Sequence, residues 1–207
     1  MLMDAMRLHF DICPAEIDER PRDDESPQEL VARLSGDKAR KVAARNPKAI
    51  VVAADTVVVH QGRVLGKPVD AREATEMLLQ LRGRQHDVFT GLTVLADGQE
   101  IAFVVRTPVQ LRLVSRKEIT DYVASGFPMD KAGAYAIQDG DFAPVANIGN
   151  CYANVIGLPI CHLHHALTSL GLYVPTHPLD SCPWPLTHGG CRWAVHLFKE
   201  LEIRPGG

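Results

Sequence analysis

An α/β fold, with a mixed sheet flanked by helices, is what the sequence predicts, and three stretches carry that reading. "AIVVAAD" (Ala49 to Asp55) is a continuous apolar run, β-branched in its middle, bounded by "NPK" and by polar chain. That is the pattern of a strand covered on both faces. "DAREATEMLLQLRG" is an amphipathic helix that stops at Gly83. "DVFTGLTVLADGQEIAFVVRTPVQLRLV" has Asp97-Gly98 at its centre and reads as a long β-hairpin. Strands joined by hairpins and interleaved with helices argue for a mixed sheet, not a purely parallel one.

The remaining elements follow in chain order. "HFDICPAEID" reads as a short strand leading into the acidic loop "DERPRDDESP". Ser26-Pro27 with Glu29 is a helix start, with Ser as cap, Pro at the first position and an acid in the first turn. That helix carries Leu30, Leu34 and Val42 at helical spacing and includes Lys38. "TVVVHQGRVLG" turns at Gln61-Gly62, and "SRKEITDYVASG" is a helix whose Ser115 and Glu118 form a capping box. "AYAIQ" and "FAPVANI" read as strands, and "NVIGLPICHLHHALTSLGL" supplies a last helix. Beyond about Tyr173 the composition turns to Pro, Gly and His. The expected organisation is therefore a domain over residues 1–172 and an appendage over 173–207, in which "CRWAVHLFKELEI" forms one helix.

Composition narrows the function classes. With 207 residues the chain can bury a full core. A net charge of −3 argues against a broad surface for a nucleic-acid polymer. The sequence has no long apolar run and no signal-peptide pattern, which leads to the expectation of a cytoplasmic enzyme without a membrane span. The odd number of cysteines at irregular spacing is not a disulfide framework. Cys13, Cys151 and Cys161 read as small buried hydrophobes. Cys182, His188, Cys191 and His196 match no regular zinc spacing. His162 and His165 share one helical face and read as solvated histidines, not ligands.

The chemistry concentrates in "AADTVVVHQGRVLGKP" (Ala53 to Pro68). Asp55 is read as ending the most buried strand, where ligands collect in open α/β sheets. The turn at Gln61 folds the chain so that Lys67 lies nearly opposite Asp55. A carboxylate beside an ammonium suits a metal-bound phosphate ester: the acid holds the ion or takes a proton from water, and the lysine offsets phosphate charge. The same pair would serve equally as a cross-strand salt bridge, worth at most about 1 kcal/mol at a surface. In "DKAGAYAIQDG" (Asp130 to Gly140) a charged pair, glycines and Gln138 surround a short apolar run. The amide can read a planar base edge, or the glycines merely serve turns.

Taken together, "AADTVV…GRVLGKPVDAREATEMLLQLRGRQHDVFTGL", "YVASGFPMDKAGAYAIQ" and "NVIGLP" resemble the Maf family of nucleoside triphosphate pyrophosphatases, in order and spacing, over residues 1 to about 172. The resemblance implies an ITPase-like fold, an elongated twisted mixed sheet with helices around a cleft. It also implies a divalent metal, Mg²⁺ or Mn²⁺, and cleavage between the α and β phosphates. It makes Asp55 the proton acceptor and a metal ligand, Glu19 a second metal ligand, Lys67 a catalytic residue of the phosphate site, and Lys38 and Lys131 substrate-binding residues. Thr56 and Gln138 fall at base-selecting positions. "ADTVV" and "DKAGAYAIQ" resemble the branch acting on dTTP and UTP. The alternatives are a 7-methyl-GTP or broad-substrate enzyme, or a nucleotide-binding regulator of cell division. Family precedent implies a homodimer. Members begin with a strand and an "SxSPRR" loop, and Met1-Leu2 falls just after that loop's arginines. The expectation is that a version extended upstream would bind triphosphate more tightly and melt higher.

Overall fold

The computed structural model describes residues 2–184 and 190–202. Its centre is a five-stranded sheet in the order β2-β1-β3-β4-β5. The strands are β1 (Val51–His60), β2 (Arg63–Leu65), β3 (Gln85–Ala96), β4 (Gln99–Leu111) and β5 (Val145–Ile148). The α/β class and the flanking helices are as the sequence predicts. Every pairing among the described residues is antiparallel, however, so the parallel component of a mixed sheet is missing here. Two-residue turns explain the hairpins. Gln61-Gly62 and Asp97-Gly98 both adopt positive φ at both positions, the conformation whose twist matches that of the flanking strands.

After the short helix α1 (Leu2–Ala5), the long helix α2 (Pro27–Arg45) starts as read, with Ser26 and Glu29 forming a reciprocal capping box. Its apolar stripe, Leu30, Val31 and Leu34, covers Val57, Val59 and Phe89 on one face of the sheet. On the opposite face, α3 (Ala71–Leu81) and α4 (Arg116–Ala124) bury Leu78, Leu81 and Ile119 against Val58, Val88 and Val109. Farther along that face, α6 (Ile160–Ser169) buries Ile160, Leu163 and Leu167 against Leu92, Val94 and Val105. Odd and even residues of β1 thus go to opposite sides, as strand pleating requires. Each fully buried Leu or Val contributes about 1.5–3 kcal/mol.

Some elements differ from the reading above. Residues 9–18 form no strand. Their alternate apolar residues find no pairing edge: Ile12 is 74% exposed, and Cys13 is exposed too. "AYAIQ" is not a strand either, because Gly133 before it and Ala134, its first residue, take positive φ and break the extended run. His162 is buried rather than solvated, edge-on to the Phe103 ring at 5.2 Å. Cys151 and Cys161 are buried as expected. Among the described residues no group of three or more His, Cys, Asp or Glu side chains is placed to hold a metal. His188 lies outside them. The tail's helix (Arg192–Glu202) forms, and Ala194 and Leu197 pack on Cys161. Among the described residues no helix is long and apolar enough to cross a membrane.

Two buried histidines make stability depend on pH. Burial, with His60 nearby, lowers His86 to about 4, and burial together with His165 lowers His162 to about 4. Both rings are neutral in the folded chain, whereas the unfolded chain protonates them below their ordinary 6.5. The unfolded state therefore binds more protons between those values, and stability falls as pH drops from about 6.5 to about 4. The loss is at most about 3 kcal/mol per histidine. Urea midpoints across that range should decline in the wild-type protein and decline less steeply in His162→Leu. Equal slopes in the two proteins would show that His162 does not carry the effect.

Candidate active site

A cleft of about 690 Å³ opens along β1, and its wall includes Glu19, Lys38, Asp55, Thr56, Lys67, Lys131 and Gln138. Residues from Glu19 to Gly157 of the chain thus converge on one cavity, within the size range of small-molecule sites. The reason lies in the sheet. β2 pairs only with Val58 to His60, so the rest of β1 is paired on one side alone, by β3. The cleft occupies the open side.

Asp55 sits in the middle of β1, not at its end as the sequence suggested, because "TVVVH" continues the strand. Its partner also differs from expectation. The Lys38 ammonium, projected from the middle of α2, lies 2.6 Å from Asp55 Oδ1 and 2.7 Å from Glu19 Oε1. Lys67 faces the same cleft and acts on the charge of Asp55. It makes no ion pair among the described residues. The hydrogen bond from Gly133 N–H to the Gly66 carbonyl, at 3.0 Å, ties the Lys67 segment to the loop bearing Lys131. Lys131 pairs with Asp130 at 2.5 Å, and Asp130 is also within the field of Lys67.

Burial pushes the Asp55 carboxyl above its ordinary range, against the pull of the Lys38 hydrogen bond. Burial also works against the Lys38 ammonium, but hydrogen bonds to Asp55 and Glu19 outweigh it, and the net direction is upward. Lys38 therefore stays charged. An acid whose pKa is raised toward the operating pH is a better proton acceptor once ionised.

Thr56 reaches the cleft with a defined polarity. The Thr90 hydroxyl donates to the Asn154 carbonyl at 3.1 Å, so its single hydrogen is used there. The 2.8 Å contact between Thr56 and Thr90 must then be donated by Thr56. What Thr56 keeps is its acceptor capacity. Asn154 is fully buried and donates to the Val88 carbonyl and to Thr107 Oγ1, locking the short helix α5 (Tyr152–Ile156) against β3 and β4. Below the cleft, His86 Nε2 and the Tyr135 hydroxyl are 2.7 Å apart, which anchors the loop that leads to Gln138. Gln138 itself is exposed at the cleft wall.

Thr90, Asn154, His86, Tyr135 and Gly91 were not singled out from the sequence. The signal for Gly91 was present, since a lone glycine inside an apolar strand marks a close backbone approach. A second, shallower groove of about 730 Å³ lies past Pro21 and includes Arg20 and Arg33. Two of its cations are already committed, Arg20 to Asp18 and Arg33 to Glu25.

Fold and cleft define an α/β protein with a paired-carboxylate, lysine-lined pocket at an open sheet edge. The chain belongs to the Maf family: the model described as Maf-like protein matches residues 1–170. The dTTP/UTP pyrophosphatase of Symbiobacterium thermophilum is 44% identical over 170 residues, covering 82% of this chain and 88% of that one. Its counterpart of the same name in Myxococcus xanthus is 44% identical over 174 residues, with 84% and 88% covered. The one from Geobacillus sp. (strain WCH70) is 41% identical over 170 residues, with 82% and 91% covered.

Proposed function

We propose that the cleft is the active site of a nucleoside triphosphate pyrophosphatase acting on dTTP and UTP, carried by residues 1–172 with 173–207 as an appendage. The observation that carries this reading is the Glu19–Lys38–Asp55 cluster facing Lys67 and Lys131 within one cavity. Family membership, and relatives named for this activity, support it.

Asp55 orients a water and accepts its proton as the water oxygen bonds to the α-phosphorus. The bond from that phosphorus to the bridging oxygen breaks, and pyrophosphate leaves. Lys67 and Lys131, with Lys38, offset the charge that grows on the phosphate oxygens in a partly dry site. The donor set fits a small divalent ion. Asp55 and Glu19 supply hard oxygens aimed at a common point, and magnesium is usually held by one or two carboxylates plus substrate phosphates. Bound there, the ion would polarise phosphate oxygens and favour attack.

Base choice follows from the hydroxyl of Thr56 and the amide of Gln138. Thr56 is left as an acceptor, which complements the ring N–H of uracil or thymine and not the bare ring nitrogen of cytosine. Gln138 supplies both a donor and an acceptor. Pyrophosphate release should be measured over dTTP, UTP, CTP, GTP and 7-methyl-GTP, with dTTP and UTP expected to lead. Equal rates for all would point to a broad-substrate enzyme, and nucleotide binding without release to a regulator. In Gln138→Ala, kcat/KM should fall for dTTP and UTP by about tenfold or more while changing little for GTP. An equal loss for every base would make Gln138 structural.

A further inference from the structure

The Lys38 ammonium occupies the place that a divalent cation would need. It lies within 2.7 Å of an oxygen of each carboxylate, Asp55 and Glu19. Those are the acids read above as metal ligands, and the inference rests on that reading. A magnesium or manganese ion at about 2.1 Å from its oxygens would have to sit between the same atoms. Ammonium and metal cannot share that point. We infer that Lys38 is a resident counter-ion that excludes free divalent metal from Asp55 and Glu19, and that the ion enters only when a triphosphate draws the ammonium away.

Each partner of the exchange has a physical reason. Asp55 and Lys38 side chains are 12% and 20% exposed, so solvent screens their pairing poorly. Two carboxylates brought together without a cation would repel each other, and Lys38 removes that penalty in the nucleotide-free protein. No third acidic or imidazole ligand joins the pair among the described residues. A free ion would therefore displace an ammonium and gain only two protein ligands. The triphosphate changes both sides of the balance. Its oxygens complete the ion's shell, and they offer Lys38 a new anionic partner at the same moment. Lys38 can make the move because its long, flexible stem swings a point charge without any shift of α2. Metal and nucleotide affinities must then be coupled, and the coupling is reciprocal.

The test uses Mn²⁺ alone and reads the free ion by electron paramagnetic resonance, so it does not depend on turnover. Wild-type protein should bind Mn²⁺ weakly, and more tightly when a dTTP analogue with a non-hydrolysable α,β bridge is present. Lys38→Met should bind Mn²⁺ without nucleotide at least about tenfold more tightly than wild type, within the usual range of such couplings. Lys38→Arg keeps the charge and should stay close to wild type. Thermal melts establish that each variant is folded. The inference is overturned if Lys38→Met binds Mn²⁺ no more tightly than wild type, or if Lys38→Arg gains as much as Lys38→Met. Adding Asp55→Asn to Lys38→Met separates the two readings. Loss of the tight site places the ion at Asp55, whereas retention shows that the ion lies elsewhere and defeats the metal-site reading itself. For folded wild-type protein, strong Mn²⁺ binding indifferent to the analogue would also overturn the exclusion.

Discussion

Asp55→Asn is expected to lower kcat/KM for dTTP by about 10²- to 10⁴-fold, the range for loss of a positioned general base. The substitution is nearly isosteric, and the site geometry explains why shape is not enough. Asp55 is held mid-strand in β1 by pairing with Gly91, so an asparagine there would stay in place. It could still accept a hydrogen bond from Lys38, which also keeps Glu19 as a partner at 2.7 Å. What disappears is the negative charge: the group can no longer take a proton from water, and a hard anionic ligand is lost. Stability should change much less than rate, so the melting temperature is the control. A folded Asp55→Asn protein with a near wild-type rate would falsify the assignment of Asp55. Lys67→Ala offers a contrast. It should reduce kcat without altering nucleotide-free Mn²⁺ binding, because Lys67 pairs with neither carboxylate in the structure.

How much of this was legible in the sequence depends on the range of the interaction. The α2 start was readable because Ser26, Pro27 and Glu29 act within one turn. Gln61-Gly62 and Asp97-Gly98 were readable because a two-residue turn is decided by its own backbone preference. Glu19, Lys38, Asp55, Thr56, Lys67, Lys131 and Gln138, the residues the sequence singles out, all line the cleft. Their connections were not legible in the sequence. The hairpin pattern places Asp55 opposite Lys67, but its ion pair is with Lys38 on a helix that crosses the sheet face. Helix-to-strand approach depends on packing, which local pattern does not encode. The same limit hid the Thr56–Thr90–Asn154 chain, whose members come from β1, β3 and α5. It also makes residues 9–18 look like a strand: alternation is present, but the segment pairs with no strand of the sheet.

One glycine decides whether α2 can approach closely enough for that ion pair, and Gly91→Ala is the second large effect expected. Gly91 lies in β3 directly across from Asp55. A Cβ built on it would come within 2.0 Å of the Val31 carbonyl oxygen and 2.9 Å of Ser35 Oγ, both on α2. The first is backbone and cannot rotate away. Ser35 is pinned as well, by a 3.0 Å hydrogen bond to Thr93 and another to the Ala32 carbonyl. Relief therefore requires the helix to lift from the sheet. Overpacking of this kind costs about 1–3 kcal/mol and sometimes more, and a backbone clash belongs at the upper end. Lifting α2 also withdraws Lys38, one turn beyond Ser35, from Asp55. Gly91→Ala should consequently melt lower and, below its melting point, turn over dTTP at least about tenfold more slowly, since a displacement near 1 Å in a site can cost about 10²-fold. Gly98→Ala supplies the comparison. It sits at positive φ in an open hairpin turn with nothing near its Cβ. That change should cost about 1 kcal/mol in stability and leave the rate unchanged. If Gly91→Ala matched Gly98→Ala in both measurements, the close approach of α2 to β3 would not be what holds Lys38 on Asp55.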